Sequence, residues 1–272
     1  MKSLVALAPH LIEAAEAAGA AIMEVYEGDD FGTVTKADNS PLTKADLASN
    51  KVILERLQAL TPELPVLSEE SKSLPYTARK DWGRFWLVDP LDGTKEFIKQ
   101  NGEFTVNIAL IEDGAPIFGV VYAPALNLTY WAAAGVGAFK GTDTQTLIEA
   151  SDYDGGTLKL VASRSHAGAA TETLVGDLEG GTAVELVSIG SSLKLCLVAD
   201  GQAHLYPRFG PTMEWDTAAA QCVAEQAGAF VREPGGGSLR YNKENLLNPH
   251  FIVTKSEALF AKASEVGQKT AG

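Results

Sequence analysis

The chain has 272 residues, 46% hydrophobic and 21% charged, and its 35 acidic against 22 basic side chains leave a net charge of −13. That length can bury a large core, as one sizeable domain or as two smaller ones sharing an interface. The charge sets it against a nucleic acid polymer or an acidic membrane surface as partner, whereas a small phosphorylated ligand stays admissible because a bound divalent cation inverts the sign locally.

Leu4, Leu7, Leu11, Ala15, Ala18, Ile22 and Val25 recur at helical spacing and predict an amphipathic first helix ending near Gly28. Glu13 and Glu16 interrupt this stretch before a secretory hydrophobic region could form, and no segment reaches 18 apolar residues without charge, so no transmembrane segment is expected. A short strand is expected at 34–36, followed by a helix from Leu47 to Leu60 that Pro62 and Pro65 terminate. Val66-Leu67 is a brief apolar run closing on Ser68-Glu69-Glu70-Ser71, and 72–80 reads as a polar loop. Strands are expected at 104–112 and 115–122, joined by the hairpin signal Asp113-Gly114, and then at 128–133 and 137–140. The polar stretch 141–157 marks a boundary between an N-terminal α+β unit, 1–150, and a C-terminal α/β unit, 151–272. In the second unit, strands at 158–162, 184–188, 203–206, 229–232 and 251–254 alternate with helices near 168–178, 191–200 and 216–228. Cys196 and Cys222 sit in apolar, helix-like runs and read as buried free thiols, which suits a reducing compartment.

The segment from Phe85 to Ile98 carries the chemistry: an apolar strand runs into Asp89-Pro-Leu-Asp92, and Gly93-Thr94 opens a helix. Asp89 and Asp92 at the end of a buried strand can share a cation, while the backbone N–H groups of Gly93, Thr94 and Lys95 face an anion. Asp-Pro and Asp-Gly are also ordinary turn dipeptides, and an acid before a helix commonly caps it. Glu69 and Asp216 lie beside apolar segments too, and burying so many carboxylates without a counter-charge costs several kcal/mol per ion, on the order of what a metal offsets. His10, His166, His204 and His250 show no metal spacing, and the chain has no nucleophile elbow, P-loop or dinucleotide-binding glycine pattern.

Glu69-Glu70-Ser71, Asp89-Pro-Leu-Asp92-Gly-Thr94 and Trp215-Asp216-Thr-Ala-Ala resemble the three signatures of the inositol monophosphatase superfamily of Mg²⁺-dependent, lithium-sensitive phosphatases. Thr94-Lys95-Glu96-Phe97 and the run from Tyr206 to Asp216 resemble the bacterial 3'(2'),5'-bisphosphate nucleotidase branch; inositol monophosphatases typically carry Asn where Glu96 stands. The resemblance implies a layered αβαβα sandwich, with two or three Mg²⁺ ions held by Glu69, Asp89, the Leu91 carbonyl, Asp92 and Asp216. It also implies a water oriented by Thr94, itself hydrogen-bonded to Asp46, with Glu69 or Asp46 accepting the proton. Substrate contacts would come from Asp92, Gly93, Thr94, Lys95, His166, Ser191, Lys194, Arg208 and Asp216, with Lys194 and Arg208 gripping the 5'-phosphate of adenosine 3',5'-bisphosphate. Asp46, Lys194 and Arg208 each have a plain alternative as a helix-end acid, surface charges or a structural ion pair.

The expected reaction is therefore hydrolysis of the 3'-phosphate of adenosine 3',5'-bisphosphate to AMP and phosphate, a role linked to sulfate assimilation, in a cytoplasmic enzyme or one peripheral to the cytoplasmic face of the inner membrane. Inositol monophosphate or fructose 1,6-bisphosphate is the alternative substrate for the same chemistry. An aspartyl-phosphate mechanism is rejected, because it needs two Asp residues spaced two apart, not three. A non-catalytic metal- and nucleotide-binding regulator is disfavoured, since every carried-over catalytic position holds a competent residue. The superfamily includes dimers, so a homodimer is admissible, although no segment marks an interface.

Overall fold

The computed structural model describes residues 3–28, 30–35, 41–70, 74–142, 144–162 and 168–270. In chain order the elements are α1 (Leu4–Tyr26), β1 (Val34–Thr35), β2 (Pro41–Leu42), α2 (Lys44–Leu60), β3 (Val66–Ser68), α3 (Tyr76–Arg79), β4 (Arg84–Asp92), α4 (Thr94–Ile98), β5 (Thr105–Glu112), β6 (Ala115–Ala123), β7 (Leu128–Ala133), β8 (Gly137–Lys140) and β9 (Thr146–Ile148). There follow β10 (Leu158–Ala162), α5 (Ala169–Glu179), β11 (Val184–Ser188), α6 (Leu193–Ala199), β12 (Leu205–Arg208), α7 (Glu214–Gln226), β13 (Phe230–Arg232), β14 (Phe251–Thr254) and α8 (Glu257–Thr270).

Strands β3 to β9 form one sheet in sequence order, and a second sheet runs β11-β10-β12-β14-β13. The first is antiparallel apart from the parallel β3–β4 pair; the second is parallel from β11 to β12 and antiparallel from β12 to β13. Strand periodicity explains why both faces of the first sheet are apolar. Along β4 and β5, Trp86, Val88, Val106, Ile108 and Leu110 face one core with α1 and α2. Phe85, Leu87, Ala109 and Ile111 face a second core, shared with α6, α7 and the inner side of the second sheet. The outer face of that sheet packs on α5 and α8. Helices, sheet, helices, sheet, helices: the layers are those of the αβαβα sandwich.

By length and composition α1 alone among the described helices is apolar enough to cross a membrane, yet its Leu7, Leu11, Ala15, Ala18 and Ile22 are buried against α2 and the first sheet. Cys196 and Cys222 are buried and unpaired. Sequence reading underestimates three places. The polar stretch 141–157 contains edge strand β9, only three residues long. The expected loop 72–80 contains helical turn α3, whose buried Arg79 donates from Nη1 to Asn242 Oδ1 at 2.9 Å and from Nη2 to the Glu244 carbonyl at 2.9 Å. Helix α8, for which no expectation was formed, closes the outer layer through Leu259, Ala263 and Val266.

Candidate active site

The acids meet where β4 ends. In a regular strand, residues three apart point to opposite faces. Here the β4–β5 register shifts between Asp89, opposite Asn107, and Asp92, opposite Thr105, so three steps on β4 match two on β5. This bulge at Pro90-Leu91 restores the parity, as bulges beside active sites do, and Pro90 has no N–H for the ladder to lose. The Ser49 hydroxyl of α2 donates to the Pro90 carbonyl at 2.7 Å and pins the bulge from below. Gly93 then turns the chain into α4 with φ +92°, ψ +39°, a left-handed conformation that strains any residue with a Cβ.

Asp216 approaches from another layer. It lies in the first turn of α7, where its Oδ2 accepts from the Met213 N–H at 2.9 Å. Carboxylate oxygens of Asp89, Asp92 and Asp216 lie within 4.8 Å of one another. The Glu69 N–H donates to the Val88 carbonyl at 3.1 Å, extending the β3–β4 pairing and setting Glu69 beside Asp89.

Electrostatics agree with a cation cage. Burial pushes the Asp89 carboxyl well above the usual carboxylate range, and the charges of Glu69, Asp92 and Asp216 push it further; only the Leu91 N–H, 3.0 Å from Asp89 Oδ1, opposes them. Asp216 is raised for the same first reason, burial, and then by Asp92 and Glu69, against the Met213 N–H and Arg208. Buried like charges with so little neutralisation are a donor set suited to a hard divalent ion, so the residues present fit the metal.

Next to them, buried Asp46 accepts from the Thr43 N–H at 2.7 Å and hydroxyl at 2.6 Å, and its Oδ1 lies 3.3 Å from Thr94 Oγ1. The same Thr94 hydroxyl is 3.5 Å from the Leu91 carbonyl. Asp46 thus sits in the first turn of α2 as a helix-end acid and still faces the cluster.

The cluster opens into a cleft of about 650 Å³ lined by Asp92 to Glu96, Gly168, Thr171, Tyr206 to Met213, Asp216 and Leu247. A smaller adjoining recess of about 180 Å³ adds Gly190 to Ser192 and Lys194. Lys194 donates from Nζ to the Ser191 carbonyl at 2.6 Å; burial depresses its ammonium, opposed chiefly by Asp92, while Arg208 depresses it further. Arg208 closes β12, lines both spaces, and donates to the Pro211 carbonyl at 2.7 Å. Ser191 has φ +49°, and its buried hydroxyl has no hydrogen-bond partner among the described residues. Lys95 is exposed at the rim. His166 and Ser71, both singled out in the sequence, lie outside the described residues.

Sequence reasoning missed Ser192 and Asn107, while the wall from Pro207 to Met213 falls inside the run from Tyr206 to Asp216 that it singled out. Two serines follow Gly190, and a Ser opening a helix ordinarily reads as its cap, so only the fold distinguishes Ser192 from Ser191.

The inositol monophosphatase family model matches residues 4–268. The 3'(2'),5'-bisphosphate nucleotidase CysQ of Escherichia coli is 52% identical over 239 residues, covering 87% of this chain and 95% of that protein. The crystal structure of CysQ from Bacteroides thetaiotaomicron, 46% identical, superposes with a TM-score of 0.80 over 93% of this chain and 98% of its own. Inositol monophosphatase from Anabaena, at 27% identity, reaches 0.76 over 98% and 97%. A match running from α1 through α8, and relatives that share both the sequence and the layered architecture, lead to one conclusion: the chain belongs to the inositol monophosphatase family.

Proposed function

We infer that the chain is a Mg²⁺-dependent phosphatase acting on a small phosphorylated molecule, adenosine 3',5'-bisphosphate, and releasing its 3'-phosphate to leave AMP. The observation that carries the reading is that one recess joins Asp92 and Asp216, two half-buried acids clustered with buried Asp89, to two cations, Lys194 and Arg208. A monophosphate needs only the first; a bisphosphate uses both. The relatives named as nucleotidases support the choice of substrate.

Glu69, Asp89, the Leu91 carbonyl, Asp92 and Asp216 would hold the metal, drawing on residues 1–150 for all but the last. When bound, Mg²⁺ neutralises phosphoryl oxygens and lowers the pKa of a coordinated water. The protein's own part is positioning and proton transfer. The Thr94 hydroxyl, with its proton directed to Asp46, presents its lone pairs to the attacking water and fixes that water's orientation. As the new P–O bond forms and the bond to the 3'-oxygen breaks, the water's proton passes to Glu69, or through Thr94 to Asp46, and the departing oxygen takes a proton from solvent. No side chain is phosphorylated. Lys194 and Arg208 bind the phosphate that is not cleaved, a charge-assisted contact of about 1.5–3 kcal/mol per hydrogen bond. Cytoplasmic location and a homodimeric state belong to the same proposal; two unpaired buried thiols support the first.

Phosphate release from adenosine 3',5'-bisphosphate, inositol 1-phosphate and fructose 1,6-bisphosphate, each with and without Mg²⁺, tests the reading. Turnover should favour the nucleotide and require the metal. Preference for inositol phosphate would overturn the substrate, and metal-independent turnover would overturn the chemistry.

A further inference from the structure

The side chain of Ser192 sits at the N-cap of α6 yet makes no capping bond to its own helix. A serine in that position ordinarily accepts from the second or third N–H of the helix. Instead its Oγ lies 2.7 Å from Asp92 Oδ2, 2.7 Å from the Asp216 carbonyl, and 2.8 Å from Asn107 Nδ2, which donates to it. One hydroxyl therefore joins three elements: β5 through Asn107, the end of β4 through Asp92, and the first turn of α7 through Asp216.

The bonding is asymmetric. A serine hydroxyl has one proton and two lone pairs. With Asn107 filling a lone pair, the single proton is shared between Asp92 Oδ2 and the Asp216 carbonyl. Asn107 is itself buried and stands opposite Asp89 in the β4–β5 register, and its Oδ1 has no partner among the described residues. The bond that its nitrogen gives to Ser192 is the one side-chain hydrogen bond Asn107 makes among the described residues.

We propose that Ser192, oriented by Asn107, is a positioning residue that sets the spacing of Asp92 and Asp216 and so tunes divalent-metal affinity. The inference rests on the reading of those acids as metal ligands. Partners that orient metal ligands typically change affinity by about 10–100-fold when removed.

The test uses Mn²⁺ alone as the probe, its free concentration followed by electron paramagnetic resonance, without substrate or turnover. Wild type must bind Mn²⁺; failure there refutes the metal-site reading itself, separately from this inference. S192A should bind about tenfold or more weakly, and S192T, which keeps the hydroxyl and its bonds, should recover most of the loss and melt near wild type in chelator. Asn107→Leu should weaken binding in the same direction, and S192A/N107L should be no weaker than S192A. Mn²⁺ affinity within twofold of wild type in S192A, or additive losses in the double variant, would overturn the proposal. If S192A fails to fold, N107L decides alone: unchanged affinity in that variant refutes it.

Discussion

With divalent ions removed by chelation, Asp89→Asn should make the protein more stable, although it should also abolish turnover. Oxygens of Asp89, Asp92 and Asp216 lie within 4.8 Å of one another, and two like charges at that separation repel by about 3.5 kcal/mol at an effective dielectric constant of 20. The metal-free protein can escape by protonating Asp89, which at pH 8 costs about 5.6 kcal/mol relative to an unfolded carboxyl of pKa about 3.9. The relief from D89N therefore lies near 3 kcal/mol and below that ceiling, or roughly 6–10 °C in Tm for a chain of this size.

The sign with pH follows from the raised carboxyls of Asp89 and Asp216. A raised pKa means that the folded state keeps protons the unfolded state releases. Their stabilising contribution is full below the unfolded pKa and is lost as pH rises through the folded values. Metal-free wild type should lose stability from mildly acidic pH upward, and the D89N advantage should shrink below about 1.5 kcal/mol at pH 5. Saturating Mg²⁺ should reverse the ranking. Differential scanning calorimetry between pH 5 and 8, in chelator and in Mg²⁺, measures all of this; D89N less stable than wild type in chelator at pH 8 refutes the crowded-acid argument.

Thr94→Ala and Asp46→Asn should each lower kcat by about 10²–10⁴-fold with little change in KM, and the double variant should be scarcely worse than either; multiplicative losses would mean the two do not share one proton path. Arg208→Ala should raise KM about 10–150-fold for adenosine 3',5'-bisphosphate and far less for inositol 1-phosphate, and equal effects on both would remove the nucleotide assignment. Gly119→Ala should destabilise by about 1–3 kcal/mol or more, since its Cβ would fall 2.3 Å from the Ala219 carbonyl oxygen, backbone that cannot rotate away. Calorimetry reads that loss, and Mn²⁺ affinity should fall with it because α7 carries Asp216.

Much of this was legible in the sequence because the signals were local. Strands 128–133, 137–140, 158–162, 184–188 and 251–254 have the expected limits, since alternating or continuous apolar runs between turn residues leave few other solutions. Helix limits slipped by one to three residues. The expected start at Leu47 missed Lys44 to Asp46, where Thr43 caps the helix, because the apolar periodicity does not begin until later. Strand β9 was hidden because Thr146 and Leu147 are exposed at a sheet edge and its length is below what a period can reveal. At the site, the acids announced themselves by standing beside apolar runs. Ser192 and Asn107 did not: each is a polar residue among many, and 85 positions separate them, so only tertiary pairing shows their common bond.

The position of the acids explains why the fold tolerates them. Asp89 and Asp92 come from the first sheet, Asp216 from a helix packed between both sheets, and Gly119 permits that helix to lie directly on β6. The cluster is therefore spaced by core packing, which is rigid, and not by the loops around it. Rigidity keeps like charges together at a cost to the metal-free fold, and a cation that binds only the folded state returns that free energy by mass action. The same arrangement places Lys194, half-buried and with its ammonium favoured by Asp92, in the lining of the recess. In a chain of net charge −13, a cation desolvated beside a carboxylate cluster has little reason to be there as solvent-facing surface. It becomes intelligible when the ligand carries a second phosphate, whose charge restores the ammonium that burial disfavours.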